Sequence, residues 1–140
     1  MDYTELAVEL AGKMQLFHRL TSQKRILEIL HGEAFLLHCI ANHGEVMLPG
    51  EISHEMAVSS ARVAAALNKL ESKGLITRQI DINDRRRILV CLTQEGRERA
   101  DKHRRILIEK TAKMLASLGE HDAKEYVRIM GRLSEISIQD

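Results

Sequence analysis

The sequence predicts a mainly α fold carrying one small β-hairpin, an α+β arrangement in which a helix–turn–helix leads directly into the hairpin. Three observations predict it. Apolar residues recur at helical spacing over most of the 140 residues. Glycines and a single proline stand where those stretches stop and start. Only between Leu75 and Thr93 does the period shorten to two, on either side of an Asn-Asp turn signal. At this length the chain makes one domain or one intertwined subunit, with a core that needs no covalent staples.

From Tyr3 to about Leu20, the residues Leu6, Leu10, Met14, Phe17 and Leu20 form a helical stripe. Gly12 within it costs up to about 1 kcal/mol relative to alanine, so this helix depends on packing against another element. A polar stretch, 21–25, precedes Ile26, Leu27, Ile29 and Leu30, and the pattern fits one bent helix or two. The next helix runs from Gly32 to His43, burying Phe35, Leu36, Cys39 and Ile40, with Gly44 as its stop. Pro49 suits a first helical turn, and Ile52 and Met56 mark the inward side of that short helix. A turn at Ala57 and Val58 leads into a helix capped by Ser59 and ended by Gly74. Its residues Val63, Ala66, Leu67 and Leu70 fall at i, i+3, i+4 and i+7, one stripe facing a core.

Two β-prone runs follow, Leu75 to Ile82 and Arg87 to Thr93, with Ile76, Arg78, Ile80 and Ile88, Val90, Leu92 in alternation. A long charged helix then runs from Gln94 to about Leu115, carrying Glu98/Lys102, Asp101/Arg105 and Glu109/Lys113 as i,i+4 pairs. Gly119 separates it from a last helix, about His121 to Ile138, whose apolar side holds Tyr126, Val127, Met130 and Leu133. The terminal helices present more apolar surface than a small domain covers alone. A homodimer with a shared core resolves this, because two-fold symmetry lets the ends of both chains close on each other.

The net charge of +1 conceals an uneven distribution. Arg62, Lys69, Lys73, Arg78, Arg85, Arg86 and Arg87 face only Glu71, Asp81 and Asp84 between Ser59 and Thr93. The outward face of the Ser59 helix is centred on Ala61, Ala65, Asn68 and Ser72, with Arg62 and Lys69 along one margin. Small side chains at the centre and cations at the edge let such a helix sink into a B-form major groove, about 12 Å wide. The turn at Asn83 and Asp84 is followed at once by Arg85, Arg86 and Arg87. A two-stranded ribbon tipped with arginine suits a narrow minor groove, where the negative potential is strongest, and Asp84 is placed to steer one of those arginines. The pattern is that of one double-stranded DNA-binding surface on a nearly neutral chain.

Three signatures in order make a more specific resemblance. Leu-Glu-x-Lys-Gly-Leu-Ile-x-Arg spans Leu70 to Arg78, Asp-x-Arg is Asp84 and Arg86, and Val-x-Leu-Thr-x-x-Gly runs from Val90 to Gly96. Together, over roughly Gly32 to Ala100, they resemble the winged helix–turn–helix of the MarR family of bacterial transcription regulators. The resemblance implies a DNA-binding domain at 32–100 between dimerisation helices at 1–31 and 101–140. It implies a cytoplasmic, dimeric regulator, a repressor by simple occlusion of a promoter, on a pseudo-palindromic operator with half-sites about 34–36 Å apart. Ser60, Ala61, Arg62 and Ala65 then lie nearest the bases, with Arg62 the donor to guanine, and Ser59 at the start of that helix belongs to the same DNA-binding surface. Asn68 and Lys69 grip phosphate, Arg86 is the wing arginine held by Asp84, Arg85 and Arg87 add backbone contacts, and Arg78 is counted with the DNA-binding residues. The family's small aromatic or anionic effectors lodge between the dimerisation helices and the DNA-binding lobe, which points to Phe17, His18, Phe35 and Leu107. Ala64 and Ala65 depart from the family pattern, where a hydroxyl and a cation are common, so base reading leans on thymine methyls and DNA shape.

Other classes fit less well. No nucleophile with its base, paired acid or phosphate loop points to an enzyme, and no cofactor is implied. Two phenylalanines, two tyrosines and no tryptophan leave no aromatic platform for RNA. A winged module serving only protein contacts has no use for three consecutive arginines at its tip. Cys39 and His43 share one helix face but lack a partner motif for a metal, and Cys39 and Cys91 are too few for a disulfide scaffold, which leaves free thiols. Family members that sense oxidants place a cysteine near the start of the chain, where none stands here. A metal- or redox-responsive regulator is therefore the subordinate reading. No apolar run approaches a membrane span and no signal-peptide pattern opens the chain.

Overall fold

A computed structural model describes residues 1–20 and 32–137. The question of one bent helix or two over 21–31 lies outside the described residues. Two compact units divide the chain, Met1–Asp101 and Lys102–Asp140.

In the first unit, α1 is Tyr3–Leu20, α2 is Glu33–Asn42, α3 is Pro49–Met56 and α4 is Ser60–Ser72. Strands β1 (Val46–Met47), β2 (Ile76–Ile80) and β3 (Ile88–Leu92) form an antiparallel sheet in the order β1-β3-β2. Helix α5 (Gln94–Leu118) begins in the first unit and continues into the second, where α6 (Glu120–Ser137) follows. No described helix is long and apolar enough to cross a membrane.

The core of the first unit is one cluster. Leu36, Leu37 and Ile40 of α2, Ile52 of α3, Val63, Leu67 and Leu70 of α4, and Ile76 and Val90 of the hairpin are all buried in it. Helix α2 buries Leu37 in addition to the expected face, while Phe35 is only half-buried. Each large aliphatic side chain in such a cluster contributes about 1.5–3 kcal/mol through removal from water.

The hairpin is in the register Ile76↔Leu92, Arg78↔Val90 and Ile80↔Ile88. Its alternation is real, but only the base of the wing is covered: Ile76, Val90 and Leu92 are buried, whereas Ile80 and Ile88 are 66% and 47% exposed. Toward its tip the ribbon is less covered by the body, and its outer isoleucines stay largely in water. Strand β1, which pairs Val46 with Cys91 and Met47 with Val90, has no counterpart in the sequence pattern, since two residues carry no periodicity.

The Leu-Thr-x-x-Gly signature is the joint between wing and α5. Thr93 Oγ1 donates to Gly74 O at 2.6 Å and accepts from Gly96 N at 3.0 Å, capping α5 while bracing the turn after α4. Gly96 is required by contact: a Cβ there would lie 1.9 Å from Leu75 O and 2.9 Å from Leu75 C. Gly74, at φ +73°, holds the left-handed stop of α4. Gly96→Ala should therefore lower the unfolding free energy by at least about 2 kcal/mol, because backbone and not a flexible side chain must move. A urea titration of both proteins measures the difference.

Candidate nucleic-acid interface

Local geometry sets the angle between α3 and α4. Ala57 takes the left-handed conformation at φ 52°, a strained position for a residue with a Cβ. Ser53 Oγ donates to Val58 O at 2.6 Å and Val58 N donates to Ser53 O at 3.3 Å, which closes the turn. Ser59 then caps α4, its Oγ accepting from Arg62 N at 3.3 Å.

With Val63, Leu67 and Leu70 buried, the opposite face of α4 is turned to solvent. Ser59, Ser60, Ala61, Arg62, Ala65, Asn68 and Lys69 are all exposed. Among the described residues, Arg62, Lys69 and Arg85 form no ion pair, so their charges are available to an outside anion. Lys73 is committed elsewhere, to Glu33 of α2.

The wing turn is organised by two aspartates. Asp81 accepts from Asn83 N at 2.9 Å, and Asp84 Oδ1 accepts from Arg86 N at 3.1 Å and from its Nε at 3.4 Å. Arg86 nevertheless projects, its side chain 93% exposed, while Arg87 stays within 4.0 Å of Asp81. The turn holds the root of Arg86 and leaves its head free.

Arg78 is placed differently. From the middle of β2 its Nε and Nη2 donate to the two oxygens of Glu71, each at 3.1 Å, and Nη2 also donates to Asn68 Oδ1 at 2.7 Å. Hydrogen bonds from this guanidinium hold the Glu71 carboxyl below the usual carboxylate range and raise the guanidinium's own pKa in return. A signal for this fork stands in the sequence: Glu71 is a lone acid beside an otherwise cationic face, three residues after Asn68.

The arrangement matches known proteins. The MarR family model covers residues 29–88. The HTH-type transcriptional regulator YwhA of Bacillus subtilis (strain 168) is 31% identical over 104 residues, 72% of each chain. The chain belongs to the MarR family. The crystal structure of Streptococcus pneumoniae FabT in complex with DNA superposes with a TM-score of 0.69 at 26% identity, over 99% of this chain and 96% of that one. An organohalide-sensing transcriptional regulator in its 2,4-dichlorophenol-bound form shares the fold, with a TM-score of 0.69 at 17% identity over 99% of this chain and 82% of that one. This protein is accordingly a DNA-binding transcriptional regulator and not an enzyme.

In this MarR-family chain a cavity of about 490 Å³ opens between the start of α2 and the flank of α4. Its walls are apolar at Phe35, Met56, Val58 and Ala66, and Arg62 and Lys69 of α4 and Glu33 of α2 also line it. Of the four residues the sequence reading grouped around an effector, Phe35 lines this cavity and Phe17, half-exposed on α1, does not. Leu107 belongs to the second unit, and the side chain of His18 lies outside the described residues.

Cys39 of α2 and His43 at its C-cap meet acids of α3. Cys39 Sγ donates to Glu55 Oε2 at 3.0 Å, and His43 Nδ1 and Nε2 lie 3.3 and 3.1 Å from Glu55 and Glu51. Glu51 also accepts from Leu48 N at 3.3 Å, which compensates for a leucine at the cap position before Pro49. Among the described residues, no three His, Cys, Asp or Glu side chains are grouped to hold a metal ion. Burial, then the hydrogen bond and charge of Glu55, push the Cys39 thiol up from 9.0 to about 12.

Two outcomes follow for the thiols. Cys39 should resist alkylation in the native protein at pH 8 while Cys91, half-buried on β3, reacts first, as mass spectrometry of partly modified protein would reveal. Because the folded state keeps the Cys39 proton that the unfolded state releases above 9.0, stability should fall with rising pH between 9.0 and about 12. A Cys39→Ser variant removes that component of the pH dependence.

Proposed function

We propose that the protein is a dimeric repressor that binds an inverted-repeat operator and is released from it by a small anionic or aromatic ligand. The observation that carries the reading is the exposed face of α4, with Arg62 and Lys69 in no ion pair among the described residues, beside a wing whose Arg86 projects into solvent. On this reading α4 enters the major groove. Ser60, Ala61, Arg62 and Ala65 approach base edges, with Arg62 donating to guanine. Ser59 sits at the helix N-terminus near the backbone, Asn68 and Lys69 supply donors to phosphate, and Arg85 and Arg87 flank Arg86 as it enters the minor groove. Asp84 sets the direction of Arg86.

Dimerisation is supported by the apolar residues that each unit leaves in water. Tyr3, Leu10 and Met14 of α1 are 75%, 57% and 62% exposed, and Tyr126, Val127 and Met130 of α6 are 48%, 57% and 49% exposed. Apolar surface on this scale marks a partner surface, and a second copy supplies a self-complementary one. Segments 1–31 and 101–140 are the proposed dimerisation regions, around a DNA-binding segment 32–100.

Effector release is supported by the apolar cavity beside α4, whose size falls within the roughly 300–1,000 Å³ of small-molecule sites. Arg62 and Lys69 in its lining suit an anionic head group, while the charge of Glu33 is met by Lys73 and Arg99. The relative solved with a dichlorophenol supports an aromatic ligand class.

Binding to duplex DNA from the protein's own upstream region, measured across a salt series, tests the reading. Wild type should bind with a steep fall of log K against log salt, and Arg86→Ala should bind more weakly with a slope shallower by about 1. Equal, weak binding of both proteins to every duplex, with no sequence enriched from a random library, would favour the protein-contact module. Phenolic acids should lower the affinity for DNA, and Phe35→Ala should blunt that response; a broad panel without effect would remove the effector from the proposal.

A further inference from the structure

We infer that Arg78 is a positioning residue that fixes which way the Asn68 amide faces, and thereby which hydrogen-bonding groups α4 offers to DNA. The inference rests on the DNA-binding reading and adds to it a residue that does not itself touch nucleic acid. A guanidinium carries donors and no acceptor. Its Nη2 lies 2.7 Å from one end of the Asn68 side chain, so that end is the carbonyl Oδ1 and the amide nitrogen points away. The same guanidinium is anchored first by two bonds to Glu71, a bidentate geometry that a flexible ammonium could not reproduce.

Each partner is fixed in turn. Asn68 and Glu71 stand one helical turn apart on α4, whose rotation is set by Val63, Leu67 and Leu70 in the core. Arg78 stands opposite Val90 in the hairpin, so strand pairing sets its height against the helix. Three of the five guanidinium N–H groups are spent within the protein.

Three consequences follow. A free asparagine pairs with adenine through a donor and an acceptor together. With one of its two lone pairs held by Arg78, Oδ1 is a poorer and directionally restricted acceptor, so Asn68 presents chiefly its Nδ2 hydrogens, which suit phosphate oxygens and disfavour the two-point contact with adenine. Glu71, left bare on a DNA-facing helix, would repel phosphate, and Arg78 cancels that charge. The charge of Arg78 is used in doing so, and it contributes little to counterion release.

The test uses the full chain and a random-sequence duplex library. Arg78→Met combined with Glu71→Gln removes the fork while leaving the net charge of the pair unchanged. The expected result is a new preference for adenine, roughly fivefold or more, at one base pair per half-site. That preference should be absent from wild type and should vanish again when Asn68→Ala is added. The salt slope should match that of wild type. Pools identical to wild type, or an adenine preference that survives Asn68→Ala, would overturn the inference. So would a slope shallower by about 1 with no change in preference, which would make Arg78 a phosphate contact. In the DNA-free protein the Asn68 side-chain amide resonances should move in the Arg78→Met/Glu71→Gln variant, and unmoved resonances would remove the fork itself. Failure of wild type to enrich any sequence would instead strike the DNA reading, and this inference with it.

Discussion

The rotation of α4 about its own axis is the constraint on which the rest of the molecule depends. Val63, Leu67 and Leu70 are each no more than 2% exposed, in one cluster with α2, α3 and the base of the hairpin. Because a helical residue's direction follows from its place in the 3.6-residue period, burying these three turns Ala61, Ala65 and Asn68 outward without any further interaction. The outward face is small at its centre and cationic at its margin, so a hydrophobic requirement delivers a polar surface.

Backbone contacts then fix what surrounds that helix. The left-handed Ala57 and the Ser53–Val58 bonds close the turn before α4, and Thr93 with Gly96 closes the joint after it. The wing is thus tied to α4 twice, by the Thr93 hydroxyl at its base and by Arg78 at its middle. Arginines of the same sequence stretch fall into different physical classes as a result. Among the described residues Arg62 and Arg85 form no ion pair and Arg86 touches Asp84 only through Nε, its side chain 93% exposed, whereas the guanidinium of Arg78 is held by both oxygens of Glu71. This division is a matter of reach and register and not of residue type.

Much of the architecture was legible because it follows from local rules. The α4 stripe and the glycine stop at Gly74 need only neighbours in sequence, and the structure has them where the pattern puts them, while the hydrogen-bonded turn of the wing runs from Asp84 to Arg87, just past the Asn-Asp signal. The Leu-Thr-x-x-Gly signature was legible as a signature, but its cause was not, since the approach of Leu75 to Gly96 joins residues 21 apart in sequence. Strand β1 escaped because its two residues take their conformation from β3. The apolar alternation of the hairpin implied a covered face, and the body covers Ile80 and Ile88 less than the base. Composition alone made Arg78 one more cation, and only the register of β2 beside α4 separates it from the others.

The position of β2 at the sheet margin has a consequence for the protein in isolation. Among the described residues, in the order β1-β3-β2, this strand has an unpaired side, and it carries Ile80, with Ile82 93% exposed just beyond it. A ribbon of that kind is a template for strand addition by another molecule. The three arginines at its tip act as gatekeepers, since two approaching ribbons would have to bring like charges together. The same side chains that suit a polyanion thus oppose edge-to-edge pairing of two wings, and this protection weakens as salt screens the repulsion.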